Sequence, residues 1–108
     1  MINFYEKSIM FGNKQIELEN LIKQVVEFGN TVVVLFYDNK IIPNNIVAFD
    51  SEGNQLWKIN DILKIKTPTG NVNMKKISEN MLGVYSDLSI EYVIDVNKRE
   101  LINKTYLR

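Results

Sequence analysis

Histidine and cysteine are both absent from this chain of 108 residues. Without histidine, the chain lacks the side chain that most often serves as a general base near neutral pH and as a metal ligand. Without cysteine, it has no disulfide, no thiolate nucleophile and no cysteine-based zinc site. We therefore expect a protein that is not an enzyme and that holds no metal ion and no cofactor.

An excess of charge is also missing, since 13 Lys and Arg residues balance 13 Asp and Glu residues. A net charge of zero removes the broad attraction to phosphate that strongly basic nucleic-acid-binding proteins use. The longest strongly apolar stretch, residues 31–37, is far too short to span a bilayer. The first residues lack the basic start and apolar run of a signal peptide. We expect a cytoplasmic protein with no membrane partner.

Strand-forming patterns dominate what the sequence does contain. Residues 2–11 are rich in apolar side chains and run into the turn dipeptide Gly12–Asn13, after which residues 15–19 alternate strictly between polar and apolar. These segments predict an N-terminal hairpin within residues 2–18. The length of the chain suits one domain, 1–108, which we expect to be mainly all-β.

The segment 18–28 is ambiguous. Its apolar residues recur at helical spacing, which predicts a helix that ends at Gly29–Asn30. Val25, Val26 and Phe28 are better strand formers than helix formers, and residues 28–31 also match a hairpin turn. We favour the strand, and the fold then contains at most one short helix, in 18–28.

Two stretches of the chain match at an offset of 45 residues. Phe49–Asp50 corresponds to Ile94–Asp95, and Leu56–Trp57 corresponds to Leu101–Ile102. Each half, about 21–59 and 72–107, then contains four successive strands.

Four short strands with a period of about 40–45 residues are typical of a β-propeller blade. The alternative is a chance likeness, because any antiparallel meander places Asp and Gly at its turns. Two blades cannot close a propeller. The sequence therefore predicts an open stack of two four-stranded, blade-like sheets, capped by the N-terminal hairpin.

The run from Asn45 to Ile59 resembles one strand-turn-strand unit of a propeller blade, as in quinoprotein-like repeats. Over residues 21–107 the layout is similar to that of small bacterial open β-meander proteins. Some of these are similar to immunity proteins of contact-dependent and polymorphic toxin systems. The resemblance implies a protein that binds and neutralises a cognate toxin domain, and it implies no cofactor, because nothing here matches a quinoprotein cofactor site.

Six residues are candidates for contact with a protein partner. If the toxin is a nuclease with a basic cleft, acidic side chains would mimic its phosphate substrate. Apolar residues in a long connecting loop would add an anchor. The candidates on these two criteria are Asp38, Ile41, Ile42, Glu52, Asp87 and Glu91.

A nucleic-acid-binding accessory protein is the alternative function. Residues 58–76 contain five lysines and a single acid, Asp61, next to Trp57. A basic patch with an aromatic side chain is suited to holding a single strand by stacking. A tryptophan in such a strand more often fills a core, so nucleic acid is the weaker expectation, and we predict that Trp57 is mostly buried.

Overall fold

The computed structural model describes residues 2–37, 44–66 and 70–107. Within these ranges, eleven strands form three antiparallel sheets, and none of the three closes into a barrel. The same ranges contain one short helix. The mainly all-β class is confirmed. No helix in the described ranges has the length and apolar character needed to cross a membrane.

The three sheets follow one another along the chain. The N-terminal sheet contains β1 (Phe4–Tyr5), β2 (Ser8–Phe11) and β3 (Lys14–Glu17), in that order. The central sheet contains β4 (Ile22–Phe28), β5 (Thr31–Phe36), β6 (Ile46–Phe49) and β7 (Gln55–Lys58), also in chain order. The C-terminal sheet contains β8 (Asn71–Lys76), β9 (Met81–Ser86), β10 (Ile90–Asp95) and β11 (Glu100–Tyr106).

The short helix α1 (Ile59–Leu63) lies after β7 and not within 18–28, where the sequence allowed one. The segment in question forms strand β4, as favoured. The helix begins where the Asp61 carboxylate accepts a hydrogen bond of 3.0 Å from the backbone N–H of Lys58. It ends at Lys64, whose φ is 53°. Five residues are too few for a helical period to show in the sequence.

The sheets stack in three layers with the central sheet in the middle. One of its faces packs on the C-terminal sheet, and the other packs on the N-terminal sheet. The first core includes Val33, Leu35, Ile46, Trp57, Leu82, Val84, Tyr92 and Ile94. The second includes Ile9, Phe11, Ile22, Val32, Val34, Phe36, Val47 and Phe49. Residues 32–36 of β5 are all buried for this reason, since an unbroken apolar run is typical of a strand covered on both faces.

The two four-stranded sheets share the same turn between their third and fourth strands. The Oδ1 atom of Asp50 accepts a hydrogen bond of 2.9 Å from the N–H of Glu52. The Oδ1 atom of Asp95 accepts one of 3.0 Å from the N–H of Asn97. The two aspartates therefore have equivalent roles at an offset of 45 residues, although Asp95 is buried and Asp50 is only half-buried.

A β-bulge follows at the same place in both sheets. The register shifts between Ala48 and Phe49, and again between Val93 and Ile94. The extra residue on the facing strand is Leu56 in the central sheet and Ile102 in the C-terminal sheet.

The 45-residue offset pairs Leu56 with Leu101, one residue away from its structural equivalent, Ile102. The difference arises because five residues (50–54) separate the paired Phe49 and Gln55, whereas six (95–100) separate Ile94 and Leu101.

Equivalent faces of the two repeats point in the same direction along the stack. Val47 and Phe49 face the N-terminal sheet, whereas their equivalents Tyr92 and Ile94 face the central sheet. The layers are therefore arranged head to tail. The opposite face of the C-terminal sheet, which we call the outer face, has no further layer on it within the described part of the chain.

Two side-chain amides join the central and C-terminal sheets. The Nδ2 group of Asn45 donates to the carbonyls of Phe36 (3.1 Å) and Asn71 (2.7 Å), and its Oδ1 atom accepts from the Asn71 N–H (3.1 Å). Gln24 makes a similar pair of hydrogen bonds with the backbone of Met74. Its Oε1 atom accepts from the Met74 N–H (2.9 Å), and its Nε2 group donates to the Met74 carbonyl (3.2 Å). Both amides thus imitate a strand backbone and fix one sheet against the other.

Candidate protein-binding site

Exposed apolar side chains concentrate around the last strand. β11 is exposed along its whole length. Of the eleven large apolar residues exposed in the described ranges, five lie on β11 or directly beside it. They are Leu88, Leu101, Ile102, Tyr106 and Leu107. Single exposed apolar residues are ordinary, but a group of them in one region is typical of a docking surface.

The turn between β9 and β10 presents Leu88, which is 58% exposed, at its tip. The Leu88 N–H donates to the Ser86 hydroxyl (3.2 Å), and the Ser89 N–H donates to the Ser86 carbonyl (3.2 Å). The Asp87 N–H donates to the carbonyl of Gly70 (3.0 Å). Because the turn is already ordered, little conformational entropy remains to be lost when a partner covers Leu88.

Ser89 closes this turn with a φ of 60°, in the left-handed region. A three-residue hairpin loop commonly ends with a left-handed residue, and glycine is favoured there. A residue with a side chain costs about 1 kcal/mol or more in that conformation. Glu6, Lys64 and Arg99 adopt the same conformation elsewhere in the described residues, so Ser89 shapes the turn that presents Leu88 and does not by itself mark a site.

Two acidic residues flank Leu88. Asp87 is exposed in the turn, and Glu91 is half-buried on β10. Glu91 lies opposite Tyr85 of β9. A hydrogen bond from the Tyr85 hydroxyl to the Glu91 carboxylate raises the pKa of Tyr85, and partial burial and the charge of Glu91 act in the same direction. Because the two residues are paired across neighbouring strands, Glu91 and Tyr85 share the outer face.

The end of β11 completes the surface. The carbonyl of Ser89 accepts a hydrogen bond of 2.9 Å from the N–H of Leu107, so Leu107 lies beside the turn. Tyr106 is 65% exposed, and the Nζ atom of Lys104 lies 5.4 Å from the centre of its ring, within the range of a cation–π contact. Glu91 lies opposite Thr105, so Tyr106 points to the other face of the sheet.

We call this surface the β9–β10 corner. Its residues are Asp87, Leu88, Glu91, Tyr106 and Leu107. The acidic members and the apolar members meet at the end of the C-terminal sheet, around the Leu88 turn. The corner therefore offers a partner one ordered apolar projection, with an acidic residue before it and another after it in the sequence.

The structure brings together only two of the predicted contact residues. Asp87 and Glu91 belong to the corner. Glu52 lies in the β6–β7 turn, where its backbone carbonyl accepts a hydrogen bond of 3.4 Å from the Nζ atom of Lys14. The remaining three candidates, Asp38, Ile41 and Ile42, lie outside the described residues.

Glu52 and Asp87 lie at opposite ends of the stack. The Asp87 N–H donates a hydrogen bond to the carbonyl of Gly70, the residue before Asn71. Asn71 in turn accepts a hydrogen bond from Asn45, which lies just before β6 begins. Glu52 comes just after β6 ends. The four residues of β6 separate the two ends by about 13 Å. Glu52 therefore does not share a surface with the corner.

Sequence reasoning missed the apolar members of the corner. Leu88 follows an aspartate and precedes a serine, in a turn where polar residues and glycine usually prevail. That mismatch was the available signal. Tyr106 and Leu107 gave none, because they read as the end of an ordinary strand.

The lysine-rich segment 58–76 does not form a stacking surface with Trp57. The tryptophan is 3% exposed and belongs to the core between the central and C-terminal sheets, which confirms that it is mostly buried. Lys75 and Lys76 are neighbours on β8 and point to opposite faces. Lys76 donates to the carbonyl of Glu27 (3.0 Å).

Carboxylates do not gather into a metal site in the described ranges, where no group of three or more suitable side chains lies close enough to hold an ion.

Comparison with known proteins places the chain in a family. Residues 1–106 match the family model described as Domain of unknown function (DUF7957). Because the match covers almost the whole chain, the protein belongs to that family. No curated protein and no solved structure matches it.

Proposed function

We propose that this member of the DUF7957 family is a non-catalytic, cytoplasmic module that binds another protein. Most concretely, we propose an immunity protein that covers the active site of a bacterial toxin. The observation that carries the proposal is the ordered Leu88 turn, with Tyr106 and Leu107 beside it. Apolar and aromatic anchors that are fixed before binding supply much of the affinity of protein interfaces.

The acidic residues of the corner favour a toxin with a basic cleft. Asp87 and Glu91 lie on either side of Leu88 in the sequence, and both retain exposure. Opposite charges facing each other across an interface speed association and exclude wrong partners. A nuclease toxin has such a cleft, because it must hold phosphate.

The area of the surface is also suitable. A standard interface takes about 800 Å² from each partner. The surface of this protein is 6557 Å², so such an interface would cover about an eighth of it. The corner alone is smaller than that. Leu101 and Ile102 are also exposed on β11, where Asn103, Lys104 and Thr105 separate them from Tyr106.

The test is co-expression of the protein with the products of neighbouring reading frames, followed by pull-down and a growth-rescue assay. We expect a stable complex with a toxic protein and rescue of growth. Leu88→Ala should weaken the complex by about 30-fold, the effect of losing an anchor of about 2 kcal/mol. Leu21→Ala is the matched control, because Leu21 is also exposed but lies outside the corner.

Charge reversal tests the acidic residues separately. Asp87→Lys with Glu91→Lys should slow association and make the affinity more sensitive to salt. Glu79→Lys with Glu100→Lys makes the same change in net charge elsewhere. Failure to recover any protein partner, together with salt-resistant binding of RNA through residues 64–76, would contradict the proposal.

A further inference from the structure

We infer that the free edge of β11 binds an extended segment of a protein partner, which adds a fifth strand to the C-terminal sheet. In the described ranges, β11 and β4 are the longest strands at the edge of a sheet, with seven residues each. Every residue of β11 is exposed. The inference deepens the proposed function and rests on it, because the segment would belong to the toxin that the β9–β10 corner contacts.

The hydrogen bonds of β11 show which of its backbone groups face the free edge. The Leu107 N–H donates to the carbonyl of the residue just before β10 (2.9 Å), and bonded and non-bonded pairs alternate along an antiparallel ladder. Thr105 and Asn103 are therefore bonded to β10. Lys104 and Tyr106 direct their N–H and C=O groups away from β10, so these groups are available to a further strand.

The opposite flank of the stack is closed. There, β4 and β8 are the edge strands of the two four-stranded sheets. Lys23 of β4 donates to the carbonyl of Val72 on β8 (2.5 Å), and Lys76 of β8 donates to the carbonyl of Glu27 on β4 (3.0 Å). Side chains of each sheet thus cover the edge of the other. No side chain in the described ranges bonds to the backbone of β11, so its edge is open.

The geometry of the edge favours an extended occupant. An edge strand presents its N–H and C=O groups at the spacing of a β-ladder, and an extended segment of a partner matches that spacing. The bulge at Ile102 interrupts the regular ladder, so the segment would pair with residues 103–107. It would then lie beside Tyr106 and Leu107, which belong to the β9–β10 corner.

The side chain of Lys104 indicates the chemistry of the segment. Lys104 pairs with Tyr92 of β10, and its Nζ atom lies 6.0 Å from the centre of the Tyr92 ring and 5.4 Å from that of Tyr106. An acidic side chain opposite Lys104 on the added strand would form a favourable cross-strand pair. Tyr106 lies two residues further along on the same face. An antiparallel segment would therefore carry an apolar residue two positions before its acidic residue.

A second copy of this chain fits the edge less well than such a partner. Antiparallel pairing of residues 103–107 with themselves would place Lys104 opposite Tyr106 of the second copy. The two Lys104 residues would then be diagonal neighbours, about 7–8 Å apart and within reach of each other's long side chains. Their like charges would repel, whereas an acidic partner segment would attract Lys104.

The experiment is selection of a random peptide library displayed on phage against the intact protein, followed by amide hydrogen exchange measured by NMR. In the free protein, the amides of Lys104 and Tyr106 should exchange faster than those of Asn103 and Thr105, which are bonded to β10. We expect selected peptides with an apolar residue two positions before an acidic residue. Their binding should slow exchange at Lys104 and Tyr106 by about tenfold or more.

Variants of Lys104 test the backbone and the charge separately. Lys104→Pro removes an N–H from the free edge and no hydrogen bond to β10, so it should weaken peptide binding by about tenfold or more and leave the native tryptophan emission unchanged. Lys104→Ala should abolish the preference for an acidic residue and still allow the exchange of Tyr106 to be slowed.

Leu88→Ala distinguishes the edge from the corner, because it should weaken the toxin complex and leave peptide binding unchanged. Peptides that slow exchange at the edge, with no toxic partner recovered, would support the edge site and contradict the toxin. Absence of selected binders, binders that leave exchange at Lys104 and Tyr106 unchanged, or a dimer of the protein that Lys104→Pro dissociates would overturn the inference.

Discussion

At the scale of single residues, Asn45 is the clearest case of a side chain that replaces backbone. It is 2% exposed, and its amide both donates to and accepts from Asn71 across the gap between two sheets. A buried side-chain amide stabilises the fold when its N–H and its C=O are both hydrogen-bonded. Removing the amide lowers the free energy of unfolding, because the backbone groups that it paired with stay buried without a partner. The sequence showed only an asparagine after a proline and another asparagine, which predicts a loop.

Replacement of Asn45 should therefore be costly. We expect Asn45→Ala to lower the free energy of unfolding by about 1–3 kcal/mol, since buried carbonyl and N–H groups lose their partner. Asn45→Asp should be at least as damaging, because a carboxylate cannot donate to Phe36 and Asn71. Urea denaturation measures both. Asn103→Ala, at an exposed position, is the control and should change stability by less than about 0.5 kcal/mol.

Trp57 is the largest side chain of the core between the central and C-terminal sheets. We expect Trp57→Ala to lower the free energy of unfolding by about 3–5 kcal/mol through loss of apolar burial and creation of a cavity. The same denaturation experiment measures it. Fluorescence gives an independent check, because the emission of this single tryptophan should be blue-shifted in the native protein. Emission like that of free tryptophan in water would contradict the burial.

Tyr85 makes stability depend on alkaline pH. The hydrogen bond to Glu91 raises its pKa in the folded state, so the stabilising contribution is complete below about pH 10, the ordinary tyrosine pKa, and is lost as pH rises through the folded pKa. Ultraviolet titration of tyrosinate should show Tyr85 ionising later in the wild type than in Glu91→Gln. Glu79→Gln, remote from Tyr85, should leave the titration unchanged. Equal midpoints in wild type and Glu91→Gln would contradict the bond.

At the scale of elements, the β9–β10 turn combines strain with order. Ser89 holds a left-handed backbone that glycine adopts without a steric penalty. We expect Ser89→Gly to raise the free energy of unfolding by about 0.5–1 kcal/mol. Ser51→Gly, in the β6–β7 turn where φ is not positive, should bring no such gain. Thermal unfolding of the two variants gives the comparison, and destabilisation by Ser89→Gly would contradict the strain.

Elements were predictable where the local pattern was long or repeated. The strands of both four-stranded sheets follow from alternating or unbroken apolar runs separated by turn residues, and β4 was favoured over a helix for its β-branched and aromatic residues. The helix α1 was missed because one turn of helix depends on a cap at Asp61 and on burial of Ile59 and Ile62, which are tertiary facts. Of the candidate site, Asp87 and Glu91 were predicted from their charge. Leu88 was not predicted, because its signal in the sequence was a single apolar residue in a polar turn, and its exposure is visible only in the structure.

At the scale of the whole molecule, burial on both faces of the central sheet is the organising fact. The apolar run of β5 indicates a buried strand, but the sequence predicts only two sheets and a capping hairpin. The cap is itself a sheet of three strands whose side chains Ile9 and Phe11 are as buried as the rest of the core. Which sheet covers which face depends on the relative orientation of the layers, and no local pattern encodes that orientation.

The head-to-tail order of the layers gives the molecule two unlike ends, as in a polymer built from asymmetric monomers. Each sheet presents one face to the next sheet, and the side chains on that face decide whether another sheet can pack there. In the central sheet the face carries Leu35, Ile46 and Trp57, and it accepts the C-terminal sheet. At the equivalent positions the outer face carries Tyr85, Glu91 and Asn103. These three positions make the outer face more polar than the face of the central sheet on which the C-terminal sheet packs, so the two faces differ in the apolar contact that they offer to a further layer.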